Sequence, residues 1–248
     1  MPNAYFSYPD ASVFKNLFET ISKLLEELKL IFTEEGLKIR AIDPSNVALI
    51  DVTFPKEAFT EYKVEGSLEV GLSMSTALKV MKRARRGDRL EIEADEENAV
   101  IRLVSSSRKE FKLRNIEVAS QEIPELNLSF DARIRMISEP LKLILKDIEL
   151  ASGNVVFEAY EDGRLLIYSG EGRKYKTEIT RESSSVMEIT AKGTVKSTYD
   201  VLYLSNVLSL TKVSDSLTME FSSLAPMRME FEVMGGGKIL YFLAPTEA

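Results

Sequence analysis

The stretch Phe14-Lys15-Asn16-Leu17-Phe18-Glu19-Thr20-Ile21 decides the fold, because its apolar spacing returns 127 positions later in Leu141-Lys142-Leu143-Ile144-Leu145-Lys146-Asp147-Ile148. The same offset carries the turn residues Glu35-Gly36 onto Asp162-Gly163. One offset thus aligns a helix face and a hairpin turn, over a period far too long for a solenoid of short repeats. The chain is therefore predicted to hold two similar domains in tandem, and such internally symmetric chains often build closed rings.

Composition limits the class of protein. The chain has 248 residues, 44% hydrophobic and 29% charged, which is typical of globular domains that bury their own cores. It lacks an apolar run of about 18 residues that could span a bilayer, and no secretory signal is evident at the N-terminus. Cys and His are absent, which excludes disulfides and the commonest zinc ligands, so we expect no metal and no other cofactor. Gln121 is the only glutamine and long charged side chains abound, which indicates a thermophile.

The charge distribution excludes a uniformly basic surface. The net charge is −7. Residues 1–117 carry 18 basic and 20 acidic side chains, and residues 118–248 carry 14 and 19, so neither half is basic. Any cationic surface that binds nucleic acid must therefore be local.

Apolar residues at helical spacing predict four helices. They cover residues 11–25 after Asp10 as N-cap, residues 75–86, a segment opened by Pro140, and residues from about 199 to 211. The residues expected to face the core are Val13, Phe14, Leu17, Phe18, Ile21, Leu24, Leu25, Ala77, Leu78, Met81, Ala84, Leu141, Ile144, Leu145, Ile148, Leu202, Tyr203, Val207 and Leu210.

The rest of the chain alternates apolar and polar residues, which predicts antiparallel strands. Each half reads as strand, helix and strands, twice over, so we predict an α+β fold of two similar domains, each with two helices on antiparallel β-sheets. The domains are expected at 1–114 and 128–248. Residues 115–127 between them form the linker, because Pro124 interrupts strand pairing.

The second predicted helix carries the strongest local charge. Lys79, Lys82, Arg83 and Arg86 stand at i, i+3, i+4 and i+7, and Arg85 adds a fifth cation, with no acid between Ser75 and Arg86. Further lysines on the other helices are Lys15, Lys142, Lys146 and Lys212. Singly, each is typical of a solvated helix face, but together they favour a nucleic-acid backbone held without sequence readout. Interleaved aromatic residues are missing, which favours duplex over single strands.

At this point the chain resembles a known family, the archaeal and eukaryotic sliding DNA clamps, or proliferating cell nuclear antigens. The resemblance runs end to end and is carried by Ile39–Val47, Gln121–Glu125 and Tyr241–Pro245, the last preceded by Gly235-Gly236-Gly237. It implies the DNA clamp fold in a pseudo-sixfold ring of three subunits, with helices lining a hole for duplex DNA. It also implies a processivity factor without catalysis that tethers DNA polymerase and other replication and repair proteins. An ATP-dependent clamp loader would open the ring, in the cytoplasm and at the nucleoid of an archaeal cell.

The resemblance also assigns site residues. Lys15, Lys79, Lys82, Lys146 and Lys212 fall at or near DNA-facing helix positions, and the charged-face argument alone adds Arg83, Arg86 and Lys142. Partners of the family dock a short peptide, ending in an aromatic pair, in a groove under the linker. The matching groove residues are Ile42, Asn46, Val47, Ile123, Pro226, Phe242, Ala244 and Pro245, with Leu126 added by proximity.

Two strand segments are expected to pair between neighbouring subunits. One edge holds Lys109, Phe111 and Leu113, and the other holds Arg173, Tyr175, Thr177 and Ile179. Both segments are basic, and like charges opposite one another on paired strands are destabilising. Two further clamp subunits, identical or different, are therefore expected to complete the ring. The mismatch favours a heterotrimer, unless the long side chains point to solvent.

Two other classes of function are open to the sequence. Carboxylates cluster at Glu34-Glu35, Asp95–Glu97 and Glu161-Asp162, and paired carboxylates serve in glycoside hydrolysis or metal binding. These clusters stand in predicted turns, where acids are common for conformational reasons, and Met234–Lys238 lacks the spacing of a phosphate loop. The second alternative is a checkpoint-type ring that serves as a scaffold for proteins without a role with polymerase.

Overall fold

A computed structural model describes residues 4–119, 123, 126–170 and 172–246. The chain divides into two compact units. Unit 1 comprises residues 1–123 and 232–239, and unit 2 comprises residues 124–231 and 240–248. No helix among the described residues is long and apolar enough to cross a membrane.

Unit 1 holds two helices and two antiparallel sheets. Its elements are β1 (Ala4–Tyr8), α1 (Ala11–Ile21), β2 (Glu27–Thr33), β3 (Gly36–Ile42), β4 (Ala48–Pro55), a 3₁₀ helix (Lys56–Ala58), β5 (Glu61–Val64), β6 (Ser67–Ser73), α2 (Met74–Met81), β7 (Arg89–Ala94), β8 (Asn98–Val104) and β9 (Arg108–Arg114). One sheet runs β5-β1-β7-β8-β9, and β4-β3-β2-β6 are adjacent in the other. The hairpin predicted at Glu35-Gly36 is confirmed between β2 and β3, with Phe32 opposite Leu37, and β7 pairs with β8, with Ile92 opposite Ile101.

Unit 2 repeats this arrangement. Its elements are β10 (Ala132–Ile137), α3 (Ser138–Glu149), β11 (Asn154–Ala159), β12 (Arg164–Ser169), β13 (Lys176–Thr180), β14 (Val186–Ala191), β15 (Val195–Asp200), α4 (Val201–Asn206), a 3₁₀ helix (Val207–Lys212), β16 (Ser216–Phe221), β17 (Met227–Val233) and β18 (Gly237–Leu243), of which Gly237–Ile239 belong to unit 1. One sheet runs β13-β12-β11-β15, and β14-β10-β16-β17-β18 are adjacent in the other. The α+β class is thus confirmed.

The same hydrogen bonds recur in both units at the predicted offset. The N–H of Ala11, which begins α1, donates to Asp88 O, and the N–H of Ser138, which begins α3, donates to Asp215 O. At the start of α2 the N–H of Met74 donates to Glu26 O, and its counterpart Val201 donates to the oxygen of Gly153. The repeat therefore extends from residue spacing to backbone contacts.

Helices α1 and α2 are shorter than their apolar patterns predict, whereas α3 begins at Ser138, two residues before the predicted start at Pro140. Helix α1 begins after Asp10, whose Oδ1 accepts the N–H of Ser12 at 2.8 Å, as predicted, but it ends at Ile21 and not at residue 25. The fourth helix is α for six residues and 3₁₀ for six more. The prediction that Leu202 faces the core is wrong, because its side chain is 59% exposed. Val201 and Leu204 are buried instead.

Candidate nucleic-acid interface and partner-binding residues

Helix α2 ends at Met81, so the prediction of a helix over 75–86 is wrong in its last part. The Arg83 N–H donates to Val80 O and the Ala84 N–H to Met81 O, and such i→i−3 bonds tighten a final turn. The carboxylate of Asp88 then accepts the Arg85 N–H at 2.9 Å and draws the chain out of the helix. That backbone bond is the main cause that lowers the pKa of Asp88.

The cations at the end of α2 are nevertheless all exposed. Lys79 lies in the last turn, Lys82 is the C-cap residue, and Arg83 and Arg86 follow in the loop before β7. Arg85, which the site prediction omitted, is as exposed as the others. Within the described part of the chain, none of the five has a carboxylate oxygen within 4 Å. This cluster, Lys79, Lys82, Arg83, Arg85 and Arg86, is called the α2 cation cluster below.

Lys15 extends from α1 toward the same loop. Its side chain is half-buried, and its Nζ donates to the backbone oxygen of Ala84 at 3.4 Å. Ala84 itself is buried beneath the exposed arginines. Lys15 therefore contributes positive charge beside the α2 cation cluster.

The predicted DNA-facing lysines of unit 2 lie in a different environment. Lys142 forms an ion pair with Glu139, one turn earlier on α3, with Nζ 2.8 Å from Oε1. Lys146 and Lys212 are exposed, but Asp147 and Glu149 are exposed beside Lys146 on the same helix. Three large apolar side chains are also exposed on these helices or at their ends, namely Leu143 at 54%, Leu150 at 90% and Leu202 at 59%.

The groove residues predicted in unit 1 lie on a loop and on the linker. Ile42 ends β3 and is half-buried, Asn46 is exposed with a left-handed backbone (φ 57°), and Val47 is half-buried before β4. Ile123 is half-buried, whereas its neighbours 121, 122, 124 and 125, part of the stretch that carries the family resemblance, lie outside the described residues.

The linker leaves unit 1 by a close contact with strand β6. Asn115 Oδ1 accepts the Gly71 N–H at 2.8 Å, and the Ile116 N–H donates to Gly71 O at 3.0 Å. A Cβ on Gly71 would stand 1.9 Å from the Ile116 oxygen, so only glycine fits at this position. Sequence reasoning missed this contact, because Gly71 sits inside a strand pattern without a turn signal.

The groove residues predicted in unit 2 lie near two tyrosines in the sequence or the fold, whose hydroxyls bond to backbone oxygens. Phe242, Ala244 and Pro245 are half-buried at the chain end, and Leu126 is 39% exposed. Pro226 follows Ala225, whose oxygen accepts the hydroxyl of Tyr199 at 2.8 Å. Burial raises the pKa of Tyr199, so this hydroxyl remains a donor over the ordinary pH range. Tyr241 donates in the same way to Tyr203 O at 3.0 Å.

The two strands predicted to pair between subunits are both sheet edges. Strand β9 ends the order β5-β1-β7-β8-β9, with Leu113 buried and Phe111 and Lys109 half-buried on its inner side. Strand β13 ends the order β13-β12-β11-β15, with Ile179 buried and Thr177 and Tyr175 half-buried. Arg173 precedes it with its guanidinium 4.6 Å from the ring centroid of Tyr168.

The acidic clusters are engaged in turn structure. Asp95 Oδ1 accepts the N–H groups of Glu97 and Asn98 at 2.8 and 2.7 Å, and these bonds lower the pKa of Asp95. Asp162 pairs with Arg164 Nε at 2.7 Å. Among the described residues, no group of three acidic side chains is placed to hold a metal ion.

Comparison with known proteins covers the whole chain. Residues 4–129 match the family model of the proliferating cell nuclear antigen N-terminal domain, and residues 122–246 match that of its C-terminal domain. The chain is 35% identical over 241 residues to DNA polymerase sliding clamp 1 of Aeropyrum pernix, covering 96% of this chain and 98% of that protein. It is 33% identical over 239 residues to the DNA polymerase sliding clamp of Pyrococcus horikoshii, covering 96% of each.

Solved structures of the same family have a fold similar to that of this chain. The fold resembles a chain of the PCNA2–PCNA3 complex from Sulfolobus tokodaii, with a TM-score of 0.91, 29% identity, and 97% of this chain and 98% of that chain covered. It resembles the proliferating cell nuclear antigen of Thermococcus kodakaraensis equally, with a TM-score of 0.91, 27% identity, and 98% and 100% covered. These likenesses confirm the clamp fold that the sequence predicts.

Proposed function

The chain belongs to the proliferating cell nuclear antigen family of DNA polymerase sliding clamps, and we propose that it acts as one of three subunits in a ring around duplex DNA. In this proposal an ATP-dependent loader opens the ring to place it on DNA, and the ring then tethers DNA polymerase and other replication and repair proteins and performs no chemistry itself. The cell compartment is the cytoplasm of an archaeal cell. The observation that carries the proposal is the α2 cation cluster, five exposed cations in a chain whose net charge is −7.

The α2 cation cluster suits a sliding contact with phosphates. Its side chains have no carboxylate within 4 Å in the described part of the chain, so their charge is available to a polyanion. Long lysine and arginine side chains at a helix end neutralise backbone phosphates without reading base edges. Lys15, Lys146 and Lys212 add to this contact, and Lys142 contributes less because Glu139 neutralises it.

Edge-to-edge pairing of β9 with β13 of a neighbour would close the ring. The repeat offset relates β9 to the region of β18, and β13 to β4. Within unit 1 the start of β18 packs tightly on β4, since a Cβ on Gly237 would come 2.6 Å from Phe54 Cδ1. The free edges are thus counterparts of segments that already pack together, which supports their use between subunits.

The charges on these edges favour a heterotrimer. On β9, Glu110 is already bound by Arg102 at 2.7 Å, while Lys112 and Arg114 have no carboxylate within 4 Å among the described residues. On the other edge, Lys174 and Lys176 are exposed and likewise without an ion pair in that part of the chain. Neighbours with acidic edges would therefore pair more tightly than copies of this chain.

Sedimentation of the purified chain tests the subunit proposal. The expected result is a monomer, or a weak complex, that becomes a stable ring when sibling clamp subunits are added. A tight homotrimer at low concentration would contradict the heterotrimer.

We propose that Phe242 belongs to the groove for partner peptides. A half-buried ring beside Ala244 and Pro245 presents apolar surface without the cost of a fully exposed aromatic. Phe242→Ala should weaken the binding of a synthetic peptide that ends in two adjacent aromatic residues by about tenfold or more, measured by calorimetry. Phe231→Leu, at a fully buried position of unit 2, is the control for general loosening of the domain. Unchanged affinity in the Phe242 variant would count against the groove.

Topological retention tests the clamp itself. The assembled ring is loaded on a nicked circular plasmid with its loader and ATP, and the plasmid is then cut once. We expect the protein to stay on the circle and to leave the linear product. A scaffold without a clamp role would not be retained on the circle, and an ordinary DNA-binding protein would stay on both.

A further inference from the structure

One loop of unit 1 is organised around a single buried carboxylate, that of Asp43. Its Oδ1 accepts the N–H groups of Val47 at 2.7 Å and Ala48 at 2.6 Å, and its Oδ2 accepts the N–H of Ser45 at 3.1 Å. The backbone adds two bonds, from the Asp43 N–H to Ala48 O and from the Asn46 N–H to Asp43 O, both at 2.9 Å. Five hydrogen bonds therefore converge on one residue.

Asp43 is buried, whereas most of the loop that it organises is exposed. Asp43 is only 4% exposed, whereas Pro44, Ser45 and Asn46 are exposed and Val47 is half-buried. Bonds from backbone N–H groups to an ionised carboxylate are among the stronger ones in proteins, and they also satisfy the charge on burial. An exposed loop without such a centre would sample many backbone conformations.

The backbone of Asn46 is held in a region that few residues adopt. Its φ of 57° is left-handed, which costs free energy for any residue other than glycine. A conformation of this kind persists only where the surroundings determine it. Here the bonds to Asp43 enclose Asn46 from both sides, at Ser45 and at Val47.

We propose that Asp43 is the positioning residue of the partner-peptide groove, because it fixes the loop that presents Asn46 and Val47 to the peptide. The inference rests on the proposed function of that groove. A loop held in its binding conformation before the peptide arrives loses less conformational entropy on binding than a mobile loop, and preorganisation of this kind increases affinity. Asp43 itself, being buried, need not touch the peptide.

The chain offers a matched control for this role. Asp95 uses the same chemistry in the turn between β7 and β8, where its Oδ1 accepts two backbone N–H groups, and it is not a groove residue. Asp43→Asn and Asp95→Asn each replace one of these carboxylates by a neutral group of the same shape. Both variants should unfold at somewhat lower temperature than the unchanged protein.

Peptide affinity separates a positioning role from a structural one. In calorimetry with the synthetic peptide ending in two aromatic residues, Asp43→Asn should lower affinity by about tenfold and Asp95→Asn by less than about twofold. Equal affinities for the two variants would overturn the proposal. If the unchanged protein binds the peptide and Phe242→Ala weakens it while Asp43→Asn does not, the groove stands and this inference fails. If the unchanged protein does not bind, the groove proposal itself fails.

If the Asp43→Asn variant does not fold, hydrogen exchange of the unchanged protein tests the role of Asp43 instead. The amides of Val47 and Ala48 donate to the carboxylate, so they should exchange slowly without peptide and change little when peptide is added. Fast exchange of both amides in the free protein, followed by strong protection on binding, would mean that the peptide orders the loop and would refute preorganisation by Asp43.

Discussion

The helix layers of the two units share some of their packing positions but differ in surface charge. At the offset of 127 residues, buried Val80 corresponds to buried Val207, and Ala77 to Leu204. The cationic positions of unit 1 diverge. Lys79, Lys82, Arg83 and Arg86 correspond to Asn206, Ser209, Leu210 and Val213, of which Ser209 and Leu210 are buried, and only Arg85 has a basic counterpart, Lys212. Part of the core is thus repeated between the units, whereas the cations of α2 are not.

The first helix of each unit and its C-terminal end differ both in charge and in burial. Lys23 corresponds to Leu150, which is 90% exposed, and buried Asn16 corresponds to Leu143, which is 54% exposed. Lys15 and Lys142 correspond, but only Lys142 is paired with an acid on its own helix. We therefore expect the cations of unit 1 to supply most of the electrostatic attraction to duplex DNA. Unit 2 is expected to contribute mainly to the size and shape of the channel.

The largest expected effect concerns the two cores. Phe14 lies among aromatic rings, with centroids 5.4 Å from Phe6, 5.2 Å from Tyr8 and 5.1 Å from Phe54, whereas its counterpart Leu141 belongs to a core with fewer ring pairs among the described residues. Phe14→Ala should lower the free energy of unfolding of unit 1 by about 4 kcal/mol, and Leu141→Ala that of unit 2 by about 3 kcal/mol. Hydrogen exchange read separately in each unit measures both. A larger loss of unfolding free energy for Leu141→Ala than for Phe14→Ala would contradict this difference between the two cores.

The next effect concerns DNA. Changing Lys79, Lys82, Arg83 and Arg86 together to Ala should reduce retention on circular DNA and flatten its dependence on salt, by about 0.9 in the logarithmic slope for each phosphate that the variant no longer neutralises. The set for unit 2, Lys142, Lys146 and Lys212 to Ala, removes three charges and should change the slope less per charge removed. Thermal unfolding serves as the control, since six of the seven side chains are exposed and only Lys142 is half-buried. Equal changes in slope per charge removed would show that the units share the DNA contact evenly.

A smaller effect compares two corresponding aspartates. Asp88 is buried and its carboxylate accepts the Arg85 N–H, while Asp215 is exposed. Because folding lowers the pKa of Asp88, its contribution is present above the ordinary carboxyl pKa and is lost as pH falls through the lowered value. Asp88→Asn should cost about 1 kcal/mol at neutral pH and progressively less in acid. Asp215→Asn should be close to neutral at every pH, and a similar cost for both would contradict this.

The smallest expected effect concerns a substitution that would leave Lys142 without an acidic partner on its helix, as Lys15 is in unit 1. Glu139→Ala frees Lys142, which should strengthen DNA retention slightly and steepen its salt dependence. Stability should fall by no more than about 0.5 kcal/mol, because an i,i+3 pair at the surface contributes little. Glu19→Ala on α1 is the control for removing one acid from a helix face. No change in retention would mean that Lys142 does not approach the duplex.

Much of the fold could be predicted from the sequence, because apolar periodicity and the repeat both follow from burial. The α+β class, four helices, the hairpin at Glu35-Gly36 and core positions such as Leu17 and Leu145 are confirmed. Helix ends could not be predicted, since the end of α2 depends on the Asp88 side chain, seven residues beyond Met81. Leu202 was misassigned because its spacing fits an apolar face that α4 does not bury.

The candidate site was predicted only in part. A sequence shows which residues are cationic but not which carboxylates they contact. The ion pair of Lys142 with Glu139 was therefore found only in the structure. Gly71 and Asp43 were missed because their roles depend on contacts with Ile116 and Val47, which only folding brings into range. The roles of the DNA-facing, groove and edge residues remain proposals that the experiments above address.

Crosslinking tests most directly whether the α2 surface faces DNA. The chain has no cysteine, so a single introduced thiol labels one site. Thr76→Cys lies exposed on α2, one turn before Lys79, and leaves every cation in place, while Lys63→Cys lies on β5, on the sheet face turned away from the helices. With a photoreactive group on the thiol and the ring loaded on circular DNA, we expect crosslinks from position 76 and few from position 63. Crosslinks from position 63 as efficient as those from position 76 would contradict the account.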